Sequence, residues 1–110
     1  MSTSIDTHAT ATTLATPLTL TGGAELKNRI VKAAMSEQLG GPRGEPTPEL
    51  ARVYRRWAQG GVGLLITGNV MIDRRSIGEP LNVVVEDDRD IEELRRWASA
   101  ATGNGATALV

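Results

Sequence analysis

The apolar positions of this chain switch between a period of two and a period near 3.6. Leu18-Thr19-Leu20 alternates, Gly22-Gly23 marks a turn, and Ala24-Glu25-Leu26 runs back, which predicts a small β-hairpin. Residues 28–33 predict the first main strand, with the β-branched pair Ile30 and Val31 buried at its centre. Residues 39–46 hold Gly40, Gly41, Pro42, Gly44 and Pro46, a density that predicts a loop. It is long for a strand-to-helix link, and long loops at the carboxyl end of a strand often serve a site.

Thr47-Pro48-Glu49 then predicts a helix start. The threonine can accept orphan N–H groups, proline suits the first turn, and glutamate favours the positive helix end. Leu50, Val53, Tyr54 and Trp57 form one apolar stripe, while Arg52, Arg55 and Arg56 occupy the other faces as a solvated surface. Gly60-Gly61 predicts a left-handed stop. Val62-Gly63-Leu64-Leu65-Ile66-Thr67-Gly68 lacks polar alternation, the sign of a strand covered on both faces. Residues 71–82 form a second long connection, with Val83-Val84-Val85 as a short extended piece. Asp87-Asp88 is expected to open a second helix, lined by Ile91, Leu94, Ala98 and Ala101 with Trp97 beside them and closed by Gly103 and Gly105. Ala106-Thr107-Ala108-Leu109-Val110 begins a third apolar strand. Strands of buried character alternating with helices predict an α/β fold with a parallel sheet and helical crossovers. A buried strand cut short would leave unpaired edge groups, so the sequence is expected to be a fragment or a truncated reading frame.

Composition removes several functions. Twelve Lys+Arg against thirteen Asp+Glu, a net charge of -1, lacks the basic surplus of a nucleic-acid footprint. With no cysteine there is neither a disulfide frame nor a thiolate site. The only histidine is His8, so neither a His-based dyad nor a zinc site is expected, and no metal or catalytic residue is assigned. No apolar run approaches the roughly 20 residues of a membrane span. Residues 1–16, rich in Thr, Ala and Ser, lack a signal-peptide pattern and are expected to be a flexible tail, with residues 17–110 as the folded part of a cytoplasmic protein.

The candidate chemistry lies at the end of the first strand. Ala33-Ala34-Met35-Ser36 would expose a tight, low floor suited to a flat ligand where parallel strands end. Gly68 ends the second strand in the same small style. From spacing alone, Ala33, Ala34 and Gly68 read as easing packing at strand ends. Asp73, Glu79, Asp87 and Asp88 read as capping and solvation rather than as a catalytic carboxylate pair.

Two stretches together carry a resemblance. Leu26-Lys27-Asn28-Arg29-Ile30-Val31-Lys32-Ala33-Ala34-Met35 resembles the opening strand of the Old Yellow Enzyme family, the NADH:flavin oxidoreductases. Tyr54, Trp57 and Ala58-Gln59-Gly60-Gly61-Val62-Gly63-Leu64-Leu65-Ile66-Thr67-Gly68 resemble its first helix and second strand, and Pro17-Leu18-Thr19-Leu20 and Thr47-Pro48 also fit. The resemblance runs over about residues 14–110. It implies the amino-terminal part of a (β/α)8 TIM barrel, with FMN at the carboxyl ends of the strands and electrons passing from NAD(P)H to activated alkenes such as α,β-unsaturated carbonyl compounds. Ala33, Ala34, Met35 and Ser36 then match positions lining the isoalloxazine ring, Ser36 as a hydroxyl donor to a ring carbonyl, and Gly68 matches a small residue beside it. Ala34 stands where members commonly have proline. The family's substrate-holding His/His or His/Asn pair, its proton-donating tyrosine, its flavin-bonding Gln and Arg and its phosphate grip are not found in this sequence, so the isolated chain is expected to be inactive. The alternatives are a small non-catalytic α/β binding module, or another phosphate-binding barrel enzyme using Gly60-Gly61-Val62-Gly63. That run precedes a strand rather than opening a helix, the wrong side for a nucleotide cradle.

Overall fold

The computed structural model describes residues 12–110. His8 and the rest of residues 1–11 of the expected tail lie outside the described residues. Residues 13–16 form a turn, in which the Thr16 amide donates to the Thr13 carbonyl at 3.0 Å, and the Leu14 carbonyl accepts from the Arg29 amide at 2.8 Å. Strands β1 (Leu18–Thr19) and β2 (Glu25–Leu26) pair antiparallel as the expected hairpin, with Leu18 opposite Leu26. Gly23 sits at φ +92°, a turn conformation that favours glycine.

The main sheet is parallel, in the order β3 (Val31–Lys32), β4 (Leu64–Ile66), β7 (Thr107–Leu109). Helices α1 (Pro48–Gln59) and α2 (Ile91–Thr102) make the crossovers. Thr47 acts on both sides of the α1 start. Its hydroxyl donates to the Leu39 carbonyl at 2.6 Å and accepts from the Leu50 amide at 3.1 Å. Gly60 remains right-handed at φ -69°, and the left-handed residue is the second glycine, Gly61, at φ +101°.

Register places Lys32, Leu65 and Ala108 side by side on one face of the sheet. That face meets the helices. The core joins Leu50, Tyr54 and Ala58 of α1 to Leu65, Val83, Trp97, Ala101 and Ala106. The opposite face carries Val31, Leu64, Ile66 and Leu109 and has no covering layer among the described residues. The expected burial of Ile30 and Val31 is corrected: Val31, 44% exposed, lies on this open face, and Ile30, 43% exposed, lies just ahead of the strand. The expectation that the second strand is covered on both faces is corrected with it: Leu65 is buried, but Leu64 and Ile66 are only half-buried. An apolar run reports that a strand can be covered, not what covers it.

The second helix also departs from expectation. It begins at Ile91, not at Asp87-Asp88. The Asp87 carboxylate folds back on the Arg89 amide at 3.0 Å and on its guanidinium, making a turn ahead of the helix. Trp97, Ala100 and Ala101 are the buried residues of α2, whereas Ile91 and Ala98 are exposed. Between the main strands a small parallel pair, β5 (Val70–Met71) with β6 (Val83–Val84), was not foreseen, although Val83 and Val84 were expected to be extended. The glycine-rich loop packs against it, with Gly40 N–H donating to Leu81 O and Val84 N–H to Gly44 O, both at 2.8 Å. A Cβ at Gly40 would lie 2.7 Å from the Leu81 carbonyl oxygen, so two backbones meet there.

The two faces predict unequal costs of truncation. Leu65→Ala, which empties a fully buried site, should lower stability by about 2–5 kcal/mol. Val31→Ala on the open face should cost well under half as much. Paired urea denaturation curves check the difference.

Candidate functional site

Parallel register delivers the residues after β3 and after β4 to one edge of the sheet. Ala33, Ala34 and Ser36 are exposed there, and Met35 is 50% exposed. Gly68 lies beside them. A Cβ at Gly68 would collide with the Met35 carbonyl oxygen and stand 2.7 Å from Glu37 Oε1. The five residues singled out in the sequence, Ala33, Ala34, Met35, Ser36 and Gly68, thus meet at the carboxyl edge. The space denied to a side chain at Gly68 is held by backbone and by Glu37.

The role of Glu37 and its link to Tyr54 escaped the sequence reading. Its carboxylate accepts from the Tyr54 hydroxyl and from the Gly68 amide, the latter at 3.1 Å. Tyr54 is fully buried. Burial, first, and the bond to Glu37, second, push its phenol well above the ordinary tyrosine value, so it stays a donor. Lys32 Nζ lies 4.6 Å from the Trp57 ring centroid and 5.5 Å from that of Tyr54. Desolvation lowers the Lys32 pKa, and the charge of Glu37 opposes that shift. One signal was available in the sequence: a lysine set inside an apolar strand opposite an aromatic stripe.

A second polar cluster borders the floor. Glu79 accepts from Gln38 Nε2 at 3.1 Å and from Asn69 Nδ2 at 2.9 Å. Asn82 caps the Glu79 amide at 2.8 Å, and its Nδ2 donates to Ser36 Oγ at 3.4 Å. The Ser36 hydroxyl is the leading cause of a Glu79 pKa below the usual carboxylate value, with Gln38, Asn69 and Asn82 adding to it. Capping and solvation, the expectation for Glu79, therefore leave out its side-chain partners. Glu79 ties the 71–82 connection to the end of β3. Gln38 and Leu81 adopt φ +56° and +62° here, positions that side chains seldom take. Asp73 and Asp87 instead pair with Arg75 and Arg89 in local turns, and hydrogen bonds from Arg89 bring Asp87 to a pKa of about 2.

Lys27, Asn28 and Arg29 of the motif act at the other edge. Asn28 Nδ2 donates to the Gly61 carbonyl at 2.6 Å, and Asn28 Oδ1 accepts from the Ile30 amide at 3.1 Å. Lys27 reaches the Asn104 carbonyl, and Arg29 reaches the carbonyls of Thr16 and Pro17, each at 3.2 Å. They fasten the amino-terminal ends of the strands, the face of a barrel that serves stability. Arg52, Arg55 and Arg56 are exposed, as expected.

Two expectations follow from this geometry. Gly68→Ala should cost about 1–3 kcal/mol through overpacking against the Met35 carbonyl, while Gly22→Ala, with open space around it, should cost far less in the same thermal melts. Glu79 has its pKa lowered by folding. Its contribution is therefore whole above the ordinary glutamate value of about 4.3 and is lost as pH falls through the lower folded value. Glu79→Gln should flatten that part of the acid stability profile, read by circular dichroism.

The sequence model of the NADH:flavin oxidoreductase / NADH oxidase family matches residues 13–110. An NADH-dependent flavin oxidoreductase of Hypocrea jecorina is 39% identical over 98 residues, covering 86% of this chain and 24% of that protein. A metal reductase of Desulforamulus reducens is 42% identical over 87 residues, covering 77% of this chain and 12% of that protein. Among solved structures, the Old Yellow Enzyme crystallised with pHBA superposes at a TM-score of 0.76 and 26% identity, covering 87% of this chain and 25% of its own. The Old Yellow Enzyme homologue of Zymomonas mobilis superposes at 0.77 and 22% identity, covering 89% and 27%, and speaks for the fold alone. This chain spans about a quarter or less of the length of these relatives. The sheet of β3, β4 and β7 with its two crossover helices is the amino-terminal part of a TIM barrel, and the chain belongs to the NADH:flavin oxidoreductase / NADH oxidase family.

Proposed function

We propose that residues 17–110 form the first segment of an FMN-binding barrel of the ene-reductase type, in which Ala33, Ala34, Met35, Ser36 and Gly68 make part of the floor under the isoalloxazine ring. The observation that carries this reading is the meeting of Met35 and Gly68 at one carboxyl edge, beside exposed small residues. Family membership supplies the flavin and NADH. The residues fit a planar group: Ala33 and Ala34 add little relief, and Met35 offers a polarizable side chain, half exposed. A bound FMN would supply hydride transfer between NAD(P)H and an alkene carbon of an α,β-unsaturated carbonyl compound.

The chain's own residues set the shape and polarity of that floor. Glu37 and Tyr54 hold the Gly68 backbone. Asn82 and Glu79 orient Ser36. Ser36 has a single hydroxyl proton, which serves either Glu79 or a ring carbonyl at any one time. Alanine at position 34, where members commonly have proline, leaves that backbone amide able to donate. Closing a barrel takes eight strands, and β3, β4 and β7 are three. The 110-residue chain alone therefore neither holds FMN tightly nor turns over, and the setting proposed is cytoplasmic.

Titrating FMN into the isolated chain should leave flavin fluorescence largely unquenched at stoichiometric protein. A protein carrying this segment with the remaining strands should bind FMN, bleach with NADH and reoxidise with an α,β-unsaturated ketone. Tight FMN binding by the 110-residue chain, or no flavin in the completed barrel, contradicts the reading.

A further inference from the structure

Hydrogen bonding across the main sheet stops at Thr67, whose amide donates to the Leu109 carbonyl at 2.9 Å. The next amide along, that of Gly68, lies past the ladder and is held by side chains: Glu37 Oε2 at 3.1 Å and Tyr54 Oη at 3.2 Å. The same Glu37 oxygen receives the Tyr54 hydroxyl proton. One carboxylate thus ties the turn after β3, the middle of α1 and the end of β4 together. It does so where a Cβ on Gly68 would collide with the Met35 carbonyl. A change in the reach of Glu37 therefore changes the spacing of the two strand ends.

The charge on Glu37 has a counterpart. Lys32 Nζ is shielded from solvent and has no hydrogen-bond partner among the described residues. It is stacked on the Trp57 and Tyr54 rings and feels the Glu37 charge. An ammonium desolvated without an acceptor is costly unless an anion lies close. Lys32 and Glu37 therefore meet across Tyr54, the ammonium over the ring face and the carboxylate at the hydroxyl. Neither residue is among those expected to touch a flavin.

We propose that Glu37 is a positioning residue for the flavin floor. By accepting the Gly68 N–H and the Tyr54 O–H it fixes the end of β4 against the end of β3, and Lys32 is its counter-charge. Its consequence for flavin rests on the site proposed above, while its effect on Gly68 does not.

Three readouts on E37A and E37Q test it. In the flavin-free protein, E37A should speed amide hydrogen exchange at Gly68 by about tenfold or more relative to Leu65. In the flavin-loaded barrel it should weaken FMN binding by about tenfold or more. Glutamine keeps an acceptor oxygen, so E37Q should restore both to within about threefold. It removes the charge, so it should still move the flavin midpoint potential to a less negative value. Unchanged Gly68 exchange in E37A, impairment of E37Q equal to that of E37A, or a midpoint that neither substitution moves would overturn the role. If Gly68 exchange responds but the unsubstituted barrel binds no FMN, the flavin reading fails and the positioning of Gly68 by Glu37 stands. Should E37A fail to fold, E37Q decides through its potential and its Gly68 exchange.

Discussion

The structure depends on how one phenol is buried. Tyr54 is fully enclosed, edge-on to Trp57 at 5.1 Å and 78° and to Trp97 at 5.4 Å and 85°. The Trp57 contact lies within α1 and the Trp97 contact locks α1 to α2; both suit the ring quadrupoles, adding about 0.5–1.5 kcal/mol per pair beyond area burial. A buried hydroxyl needs a partner, and the one available lies at the sheet edge. Satisfying Tyr54 thus draws Glu37 inward, and Glu37 in turn draws in the Gly68 amide. A requirement of the core is met at the rim of the candidate site.

The two ends of the sheet divide their tasks. At the amino-terminal end, Lys27, Asn28 and Arg29 each satisfy backbone carbonyls of neighbouring segments, and Gly63 allows the Asn28 backbone to approach. At the carboxyl end, Ala33, Ala34 and Met35 remain exposed and without side-chain hydrogen bonds, while Glu37, Glu79 and Asn82 work behind them. This is the asymmetry that a parallel barrel imposes. Fastening belongs to one face and ligand contact to the other. The 71–82 connection and the glycine-rich loop meet over the same carboxyl side. The close approach of their backbones accounts for Gly40, while Gly44, at φ +82°, lies against the Val84 side chain of β6.

Sequence pattern alone determined the hairpin, both helices, the three main strands and their parallel order. These follow from local periods and from Thr47, Pro48, Gly61 and Gly105, whose effects act within a few residues. The resemblance carried by residues 26–35 and 54–68 pointed to the family that residues 13–110 match. Three things were decided only by the tertiary structure. The first was which face of the sheet is covered, because Val31, Leu64 and Ile66 read as buried whether or not a second layer exists. The second was the site's supporting shell. Lys32 and Glu37 lie near one another in sequence but far from Tyr54 and Gly68, and only the crossover helix brings a core phenol to a strand end. The third was the start of α2, where the Asp87 side chain bonded Arg89 in place of a helix amide. Local sequence carries local energies. Partners that come from distant segments become visible only once the chain has folded and their distances are fixed.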